Sequence, residues 1–202
     1  MKTQPKPKPH DNETWDASPR KRALLRVALR QFRDRGYLGA TMNDIGAAAG
    51  VSGPALYHHF RSKDDLLVAA LVDVAREIDA ASRTVMGRRD LEPRDALREL
   101  IEAFVEVALR EPDMIAVYLL EARHLPAEVY MRLRGAEERH RDRLAHYLRL
   151  ARPELTETRA KVMVRVALFM VARACLEDPE LDARQLTKLL VDMAMTALTE
   201  TR

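Results

Sequence analysis

Cysteine and glycine are scarce in this chain of 202 residues, which contains one of the former and seven of the latter. The lone Cys175 excludes an internal disulfide and a Cys-x-x-Cys metal site, and within an apolar segment it is most simply a small core residue. Glycine-rich phosphate loops, the Gly-x-Ser-x-Gly elbow and the His-Glu-x-x-His zinc motif are also missing. We therefore expect no enzymatic activity, no cofactor and no bound metal.

Long hydrophobic runs are missing as well. Arg or Glu interrupts every apolar stretch, including the most apolar one at 162–176, so we expect no membrane span. The basic N-terminus continues into a polar segment with Asn12, Glu13 and Asp16, where a signal peptide needs an apolar core. We therefore expect a cytoplasmic protein.

Apolar residues recur with the helical period along most of the chain, and the alternation typical of strands is rare. The sequence therefore predicts an all-α fold with about nine helices. Ser, Thr, Gly and Pro residues mark the helix boundaries. The predicted helices cover 18–36, 41–50, a short segment after Ser52, 62–87, 93–110, 112–123, 126–151, 156–177 and 182–200.

The balance of charge differs between the two ends of the chain. The whole chain has a net charge of +3, which by itself predicts no nucleic-acid partner. Residues 1–63, however, contain twelve Lys or Arg and five Asp or Glu, a net +7, whereas residues 64–202 have a net −4. Since a basic surface attracts the phosphate backbone, the N-terminal third is the predicted nucleic-acid-binding part.

Two short predicted helices are joined by a turn containing Gly50, and a longer helix precedes them, which is the order of a helix-turn-helix unit. The segment TMNDIGAAAGVSGPALYHHFRSKDDLL resembles the DNA-binding domain of the TetR family of bacterial transcription regulators. The shared features are a Thr-capped helix, an Ala-Gly-Val turn, a Leu-Tyr-His-His-Phe recognition helix and a Ser-Lys-Asp start of the next helix. The similarity extends over about residues 20–70.

This resemblance implies a homodimer that binds a palindromic operator in double-stranded DNA and responds to a small-molecule effector. Together with the composition, it divides the chain into a disordered basic arm at 1–17, a helix-turn-helix domain at 18–65, and a helical effector-binding and dimerisation domain at 66–202. We expect a repressor that a small, largely apolar effector releases from DNA. The alternatives are a transcriptional activator or a DNA-binding protein without an effector.

The recognition segment contains several candidate DNA contacts. The helix caps Thr41 and Ser52 and the small residues 53–55 at the start of the recognition helix allow close approach to DNA. The resemblance assigns phosphate contacts to the longer side chains of Tyr57, His58 and Lys63. No Arg, Asn or Gln lies between Ser52 and Phe60, so sequence selection is expected to rest on Ser52, on contacts with thymine methyl groups and on DNA shape. Tyr57 has an alternative role as an internal structural hydroxyl. The candidates are Thr41, Ser52, Gly53, Pro54, Ala55, Tyr57, His58 and Lys63.

Further resemblance-based candidates concern the effector. Large, flexible and mostly apolar side chains in the middle helices suit a hydrophobic ligand, although each is also compatible with an ordinary core position. Arg123 and His124 either hold a polar headgroup or offset a helix dipole at an exposed C-terminus. The candidates are Met86, Phe104, Met114, Tyr118, Arg123, His124, Met163 and Phe169.

The last two helices contain the candidate dimer interface. The final helix has an apolar stripe with helical spacing, which faces either a second subunit or the core of its own subunit. Arg165 and Arg173 interrupt the preceding apolar helix, so we expect each to have a carboxylate partner across an interface or an anionic ligand. The interface candidates are Phe169, Arg173, Leu186, Leu189, Leu190, Met193 and Ala197.

Overall fold

The computed structural model describes residues 19–88, 90–121, 125, 127–176 and 181–200. This part of the chain contains nine α-helices, which confirms the predicted all-α fold. The helices are α1 Pro19–Gly39, α2 Met42–Ala48, α3 Gly53–His59, α4 Lys63–Met86, α5 Pro93–Arg110, α6 Pro112–Ala116, α7 Ala127–Ala151, α8 Glu157–Ala174 and α9 Ala183–Thr199. The predicted N-terminal arm and the predicted Ser18 cap lie outside the described residues.

Hydroxyl side chains start α2, α3 and α4, as predicted. The oxygens of Thr41, Ser52 and Ser62 accept hydrogen bonds from backbone amides three residues further on, at 3.2, 3.3 and 3.0 Å. Each bond satisfies an amide that has no partner within its helix. Gly36 has a left-handed φ of 71°, which interrupts α1 where its end was predicted, and one more turn follows.

A continuous hydrophobic core joins the first three helices to the rest of the molecule. Phe32, Ile45 and Leu56 are fully buried in the helix-turn-helix, and Leu66 and Leu67 extend the same core into α4. Further along the chain, α5 packs against α4, α7 and α9. Since α4 contacts both α1 and α5, it connects the helix-turn-helix with the other helices.

The helix predicted at 112–123 is not regular. After the short α6, residues Val117–Glu121 form a π-helical turn, and residues 122–124 lie outside the described part. Five residues are too few for the side-chain pattern to distinguish an α-helical from a π-helical period. The π-helical turn contacts α1, and two of its residues, Tyr118 and Leu119, border an apolar cavity.

Three arginines of α1 contact carboxylates at the start of α6. Arg26 Nε donates to Glu111 Oε1 at 2.6 Å, and both Arg30 and Arg33 pair with Asp113. Glu111 is buried, and its hydrogen bond raises the pKa of Arg26. Part of the positive charge of residues 1–63 is therefore neutralised within the molecule and is not available to DNA.

Candidate nucleic-acid interface and apolar cavity

Most of the predicted DNA contacts lie on the outward surface of α2 and α3. Tyr57 leaves 53% of its surface accessible, and among the described residues its hydroxyl has no hydrogen-bond partner, which an internal structural role would need. Gly53 is partly exposed. The exposed candidates are Thr41, Ser52, Pro54, Ala55, Tyr57 and His58.

Lys63 makes internal contacts in the free chain. Its ammonium donates to the backbone carbonyls of Tyr37, Leu38 and Ala40, at 2.7, 3.4 and 3.1 Å. Since an ammonium has three N–H groups, these contacts occupy all of them. They join the end of α1 to the start of α4, and the phosphate contact of Lys63 stays a prediction.

Asn43 of α2 adds an amide to this surface that the sequence does not identify. The residue is exposed, and a β-carbon on Gly53 would lie 2.7 Å from its Oδ1 atom. The amide of Asn43 therefore lies beside the first residue of α3. Amide side chains of this kind form paired hydrogen bonds with adenine, and α3 itself contains none. The two residues are ten positions apart, and only the packing of α2 on α3 brings them together.

Gly46 is buried where α2 meets the following turn. A β-carbon at this position would lie 3.0 Å from the carbonyl oxygen of Val51 and 3.7 Å from the backbone nitrogen of Gly53. A side chain at residue 46 therefore requires the Val51 carbonyl, in the turn before α3, to shift by a few tenths of an ångström, and a larger side chain requires a larger shift.

A cavity of about 300 Å³ lies between α4, α5, α7, α8 and the segment 114–119. Four predicted effector contacts, Phe104, Met114, Tyr118 and Phe169, belong to its wall, which is mostly apolar. The side chain of Phe169 is also 59% exposed, so the cavity opens to the surface at α8.

Of the other four effector predictions, two lie outside the described wall and two lie outside the described residues. Met86 lies at the end of α4 with 43% of its surface exposed, and Met163 is half-buried elsewhere on α8. Both are apolar residues at helical spacing, and only the rotation of their helices shows that they face away from the cavity. Arg123 and His124 lie outside the described residues.

Three polar side chains of the cavity wall form a group with one another. The Tyr118 hydroxyl donates to Glu137, and Arg141 also donates to Glu137 from the next turn of α7. Burial, followed by the bond to Glu137, raises the pKa of Tyr118 far above its usual value. Tyr118 is therefore a neutral donor whose proton is already in use.

His140 lies next to this group on α7 and is buried. Its ring stacks on Phe104 with 5.5 Å between centroids, and its Nδ1 atom lies 3.4 Å from Ser82 Oγ. Burial, assisted by the nearby positive charge of Arg143, lowers the pKa of His140 to about 4, so the ring is neutral at physiological pH. The Nε2 atom is buried and has no hydrogen-bond partner among the described residues.

Exposed apolar side chains also mark one face formed by α8 and α9. Val166, Phe169, Leu189 and Met193 are 62%, 59%, 45% and 45% exposed, and α8 packs directly on α9. Ala197 continues the exposed row on α9. We call these five residues the α8–α9 face.

Two predicted interface residues belong to the core instead. Leu186 and Leu190 are 7% and 3% exposed, because the apolar stripe of α9 consists of two adjacent rows. One row, which also includes Ala194, faces the core of the same subunit, and the other contains Leu189 and Met193.

The two arginines that interrupt the apolar face of α8 are exposed in the single chain, and their pairing across an interface or with a ligand stays a prediction. Arg165 and Arg173 both reach solvent, so neither needs a compensating charge on grounds of burial. Arg165 also borders the cavity, where the described carboxylates include no partner for it. Cys175 is buried, as expected, and burial raises the pKa of its thiol to about 11.

Two features that would indicate other functions were not found in the described part of the chain. No helix there combines the length and apolarity needed to cross a bilayer. The same residues contain no cluster of three His, Cys, Asp or Glu side chains suited to a metal ion.

Family models match most of the chain. Residues 24–70 match the model described as bacterial regulatory proteins of the tetR family, and residues 90–198 match the tetracyclin repressor-like C-terminal domain. The first range contains α2, α3 and the exposed DNA-binding candidates, and the second contains most of the cavity wall and the α8–α9 face.

Individual relatives agree with this assignment. The chain is 31% identical over 119 residues to the HTH-type transcriptional repressor KstR2 of Rhodococcus jostii, a match that covers 59% of this chain and 58% of the relative. It is 39% identical over 87 residues to the transcriptional activator FasR of Mycolicibacterium smegmatis, covering 43% and 39%. The matched segment thus spans roughly half of these relatives.

A solved structure shows the same fold over a larger part of the chain. The transcriptional regulator FadR of Bacillus subtilis, in complex with stearoyl-CoA, superposes with a TM-score of 0.70 at 16% identity. The superposition covers 87% of this chain and 97% of FadR.

Proposed function

Because this chain belongs to the TetR family of bacterial DNA-binding transcription regulators, a family without enzymatic activity, we propose that it is a homodimeric repressor released from a palindromic operator by a small, largely apolar effector. The observation that carries the proposal is the apolar cavity bordered by residues 114–119, directly after the carboxylates that hold α1. One short segment thus contacts both the effector site and the DNA-binding unit.

The DNA-binding part of the proposal rests on the exposed surface of α2 and α3. Tyr57 is the largest exposed side chain in α3, and its hydroxyl is a suitable donor to a phosphate oxygen. Replacement of Tyr57 by Phe is expected to weaken binding about tenfold, because a hydrogen bond to a charged group is lost. Fluorescence anisotropy with a palindromic duplex, selected from a random library, measures this affinity. Tyr130→Phe, on α7, is the control and should bind like the parent protein.

Dimerisation is supported by the α8–α9 face. Two operator half-sites in successive major grooves lie about 34 Å apart, so a palindrome needs two recognition helices at a fixed spacing. The apolar side chains of this face are exposed in the single chain, and a second copy of the face is the partner that this proposal requires.

Coupling between effector and DNA is proposed to pass through residues 111–121. An effector that presses on Met114 and Tyr118 displaces α6, and the ion pairs of Glu111 and Asp113 transmit this displacement to α1. The effector shifts the population towards an arrangement whose recognition helices no longer fit the operator. A coupling of about 1–3 kcal/mol corresponds to a change in affinity of about 5- to 150-fold.

The cavity variant Ala172→Phe tests the effector site with the fluorescent apolar probe phenylnaphthylamine. The probe should bind the parent protein and weaken operator binding at least about fivefold. Ala172 belongs to the cavity wall, so the larger side chain fills the cavity and should abolish both effects while operator affinity persists. Ala174→Phe is the matched control, because Ala174 lies on the same helix outside the wall.

Glu111→Gln separates effector binding from release in the same assay. The amide has the shape of the carboxylate but loses the charge that pairs with Arg26. The probe should therefore still bind, whereas its effect on operator affinity should be smaller than in the parent, with the pairs of Asp113 carrying the remainder. If the probe releases the operator equally from Glu111→Gln and from the parent protein, the proposed coupling route is wrong. If the probe still binds Ala172→Phe, the cavity is not its binding site.

Activation of transcription is the second candidate, because the similar protein FasR is an activator. The same surfaces would serve either function. Transcription in vitro from a promoter that contains the selected operator distinguishes them, since a repressor lowers the transcript level and an activator raises it.

A further inference from the structure

Among the described wall residues of the cavity, His140 is the one that has a buried side-chain atom without a hydrogen-bond partner. The polar atoms of Tyr118, Glu137 and Arg141 bind one another. Arg165 lies at the exposed rim. His140 is therefore the described wall residue whose buried hydrogen-bonding capacity is unused.

The hydrogen bonds of Ser82 determine which ring nitrogen of His140 holds the proton. Ser82 Oγ donates its single hydrogen to the carbonyl oxygen of Ile78, at 2.8 Å. Its contact with His140 Nδ1, at 3.4 Å, therefore needs a proton from the imidazole. In a neutral ring with a proton on Nδ1, the Nε2 atom has a lone pair and accepts hydrogen bonds.

We infer that the effector has a hydrogen-bond donor, such as a hydroxyl group, on its apolar part, and that this group donates to His140 Nε2. A carboxylate, a ketone or an ether cannot replace it, because each of these groups only accepts hydrogen bonds and would face the lone pair of Nε2. A purely apolar ligand would leave a buried acceptor without a partner, which is unfavourable. The burial of the ring, which keeps it neutral, agrees with this assignment.

This inference rests on the proposed effector cavity and adds the chemical class of its ligand. The neutral ring of His140 stacks on Phe104, so a flat aromatic probe with one variable substituent suits the test. Suitable probes are β-naphthol, which donates a hydrogen bond, its methyl ether, which only accepts one, and naphthalene, which does neither.

Titration of the full-length protein, followed by fluorescence or calorimetry at neutral pH, tests the inference. We expect β-naphthol to bind about tenfold more tightly than its methyl ether or naphthalene. In His140→Phe, which keeps an aromatic ring beside Phe104, the three affinities should agree within about twofold. Equal binding of β-naphthol and the ether to the parent protein, or an undiminished preference in His140→Phe, overturns the inference.

Ser82→Ala provides a second variant that leaves His140 in place. Without the serine oxygen, the imidazole can move its proton to Nε2 and donate to the ether. The affinity for the methyl ether should therefore rise relative to that for β-naphthol, and an unchanged ratio contradicts the assigned tautomer. Release of the operator by phenylnaphthylamine is measured in parallel. If release persists while the preference for β-naphthol is absent, the proposed function stands and the donor assignment falls.

Discussion

A protein with aspartate at both Val166 and Met193 is expected to be a monomer that binds its operator at least about a hundredfold more weakly than the parent. Both residues belong to the exposed α8–α9 face, where a partner subunit would bury the introduced charges without compensation. Linkage of two binding units increases affinity by about 10²- to 10⁴-fold, and the monomer loses this gain. Analytical ultracentrifugation measures the state of assembly, and anisotropy measures the affinity.

Met131→Asp is the control for this variant. Met131 is 68% exposed on α7, away from the α8–α9 face, so its replacement should preserve both assembly and operator binding. A dimer that persists in the double aspartate variant would show that the subunits associate through another surface.

Replacement of Gly46 by Val is expected to abolish specific operator binding. The new β-carbon lies 3.0 Å from the carbonyl oxygen of Val51, which must shift, and 3.7 Å from the backbone nitrogen of Gly53, so we expect the two methyl groups of valine to displace α3. Specific binding is about 10³- to 10⁷-fold tighter than non-specific binding, and a displaced recognition helix retains only the latter. Overpacking should also lower the free energy of unfolding by about 2 kcal/mol, which chemical denaturation measures.

Gly39→Val separates the effect of the close approach from that of valine in a helix. A β-carbon on Gly39 would contact only Arg35 Cβ, at an ordinary 3.8 Å. This variant should bind the operator with nearly parental affinity. Specific binding that survives in Gly46→Val would show that the turn can open without displacing α3.

The local features of the helix-turn-helix were predictable from the sequence. The caps at Thr41, Ser52 and Ser62 depend on hydrogen bonds between residues three apart, so the residue types suffice to locate them. The sequence does not decide between an exposed and an internal Tyr57, and the structure leaves 53% of this residue accessible.

Features that depend on contacts between helices were not predictable. The ammonium of Lys63 is bound by carbonyl groups more than twenty residues away, and Asn43 is placed beside Gly53 only by helix packing. The apolar stripe of α9 shows why periodicity is insufficient. Leu189 and Leu190 are adjacent in the chain, yet one faces outward and the other faces the core.

The cavity shows the same limit. Large apolar residues predicted its wall at Phe104 and Met114 but also suggested Met86, because residue type does not specify the rotation of a helix. The role of His140 depends on the hydrogen bonds of Ser82, a residue of another helix. No pattern of residue types indicates that one imidazole nitrogen lacks a partner.

The ion pairs between α1 and α6 limit how this regulator can be recombined with others. A hybrid that joins residues 19–62 to the body of another family member loses Glu111 and Asp113, the acceptors of Arg26, Arg30 and Arg33. Arg33 then keeps its partner Asp34, but Arg26 and Arg30 meet a foreign surface without their carboxylates, and Arg26 also loses Glu77. A working hybrid must therefore take Glu77 and residues 111–113 along with the first three helices, so the exchangeable module is discontinuous in the chain.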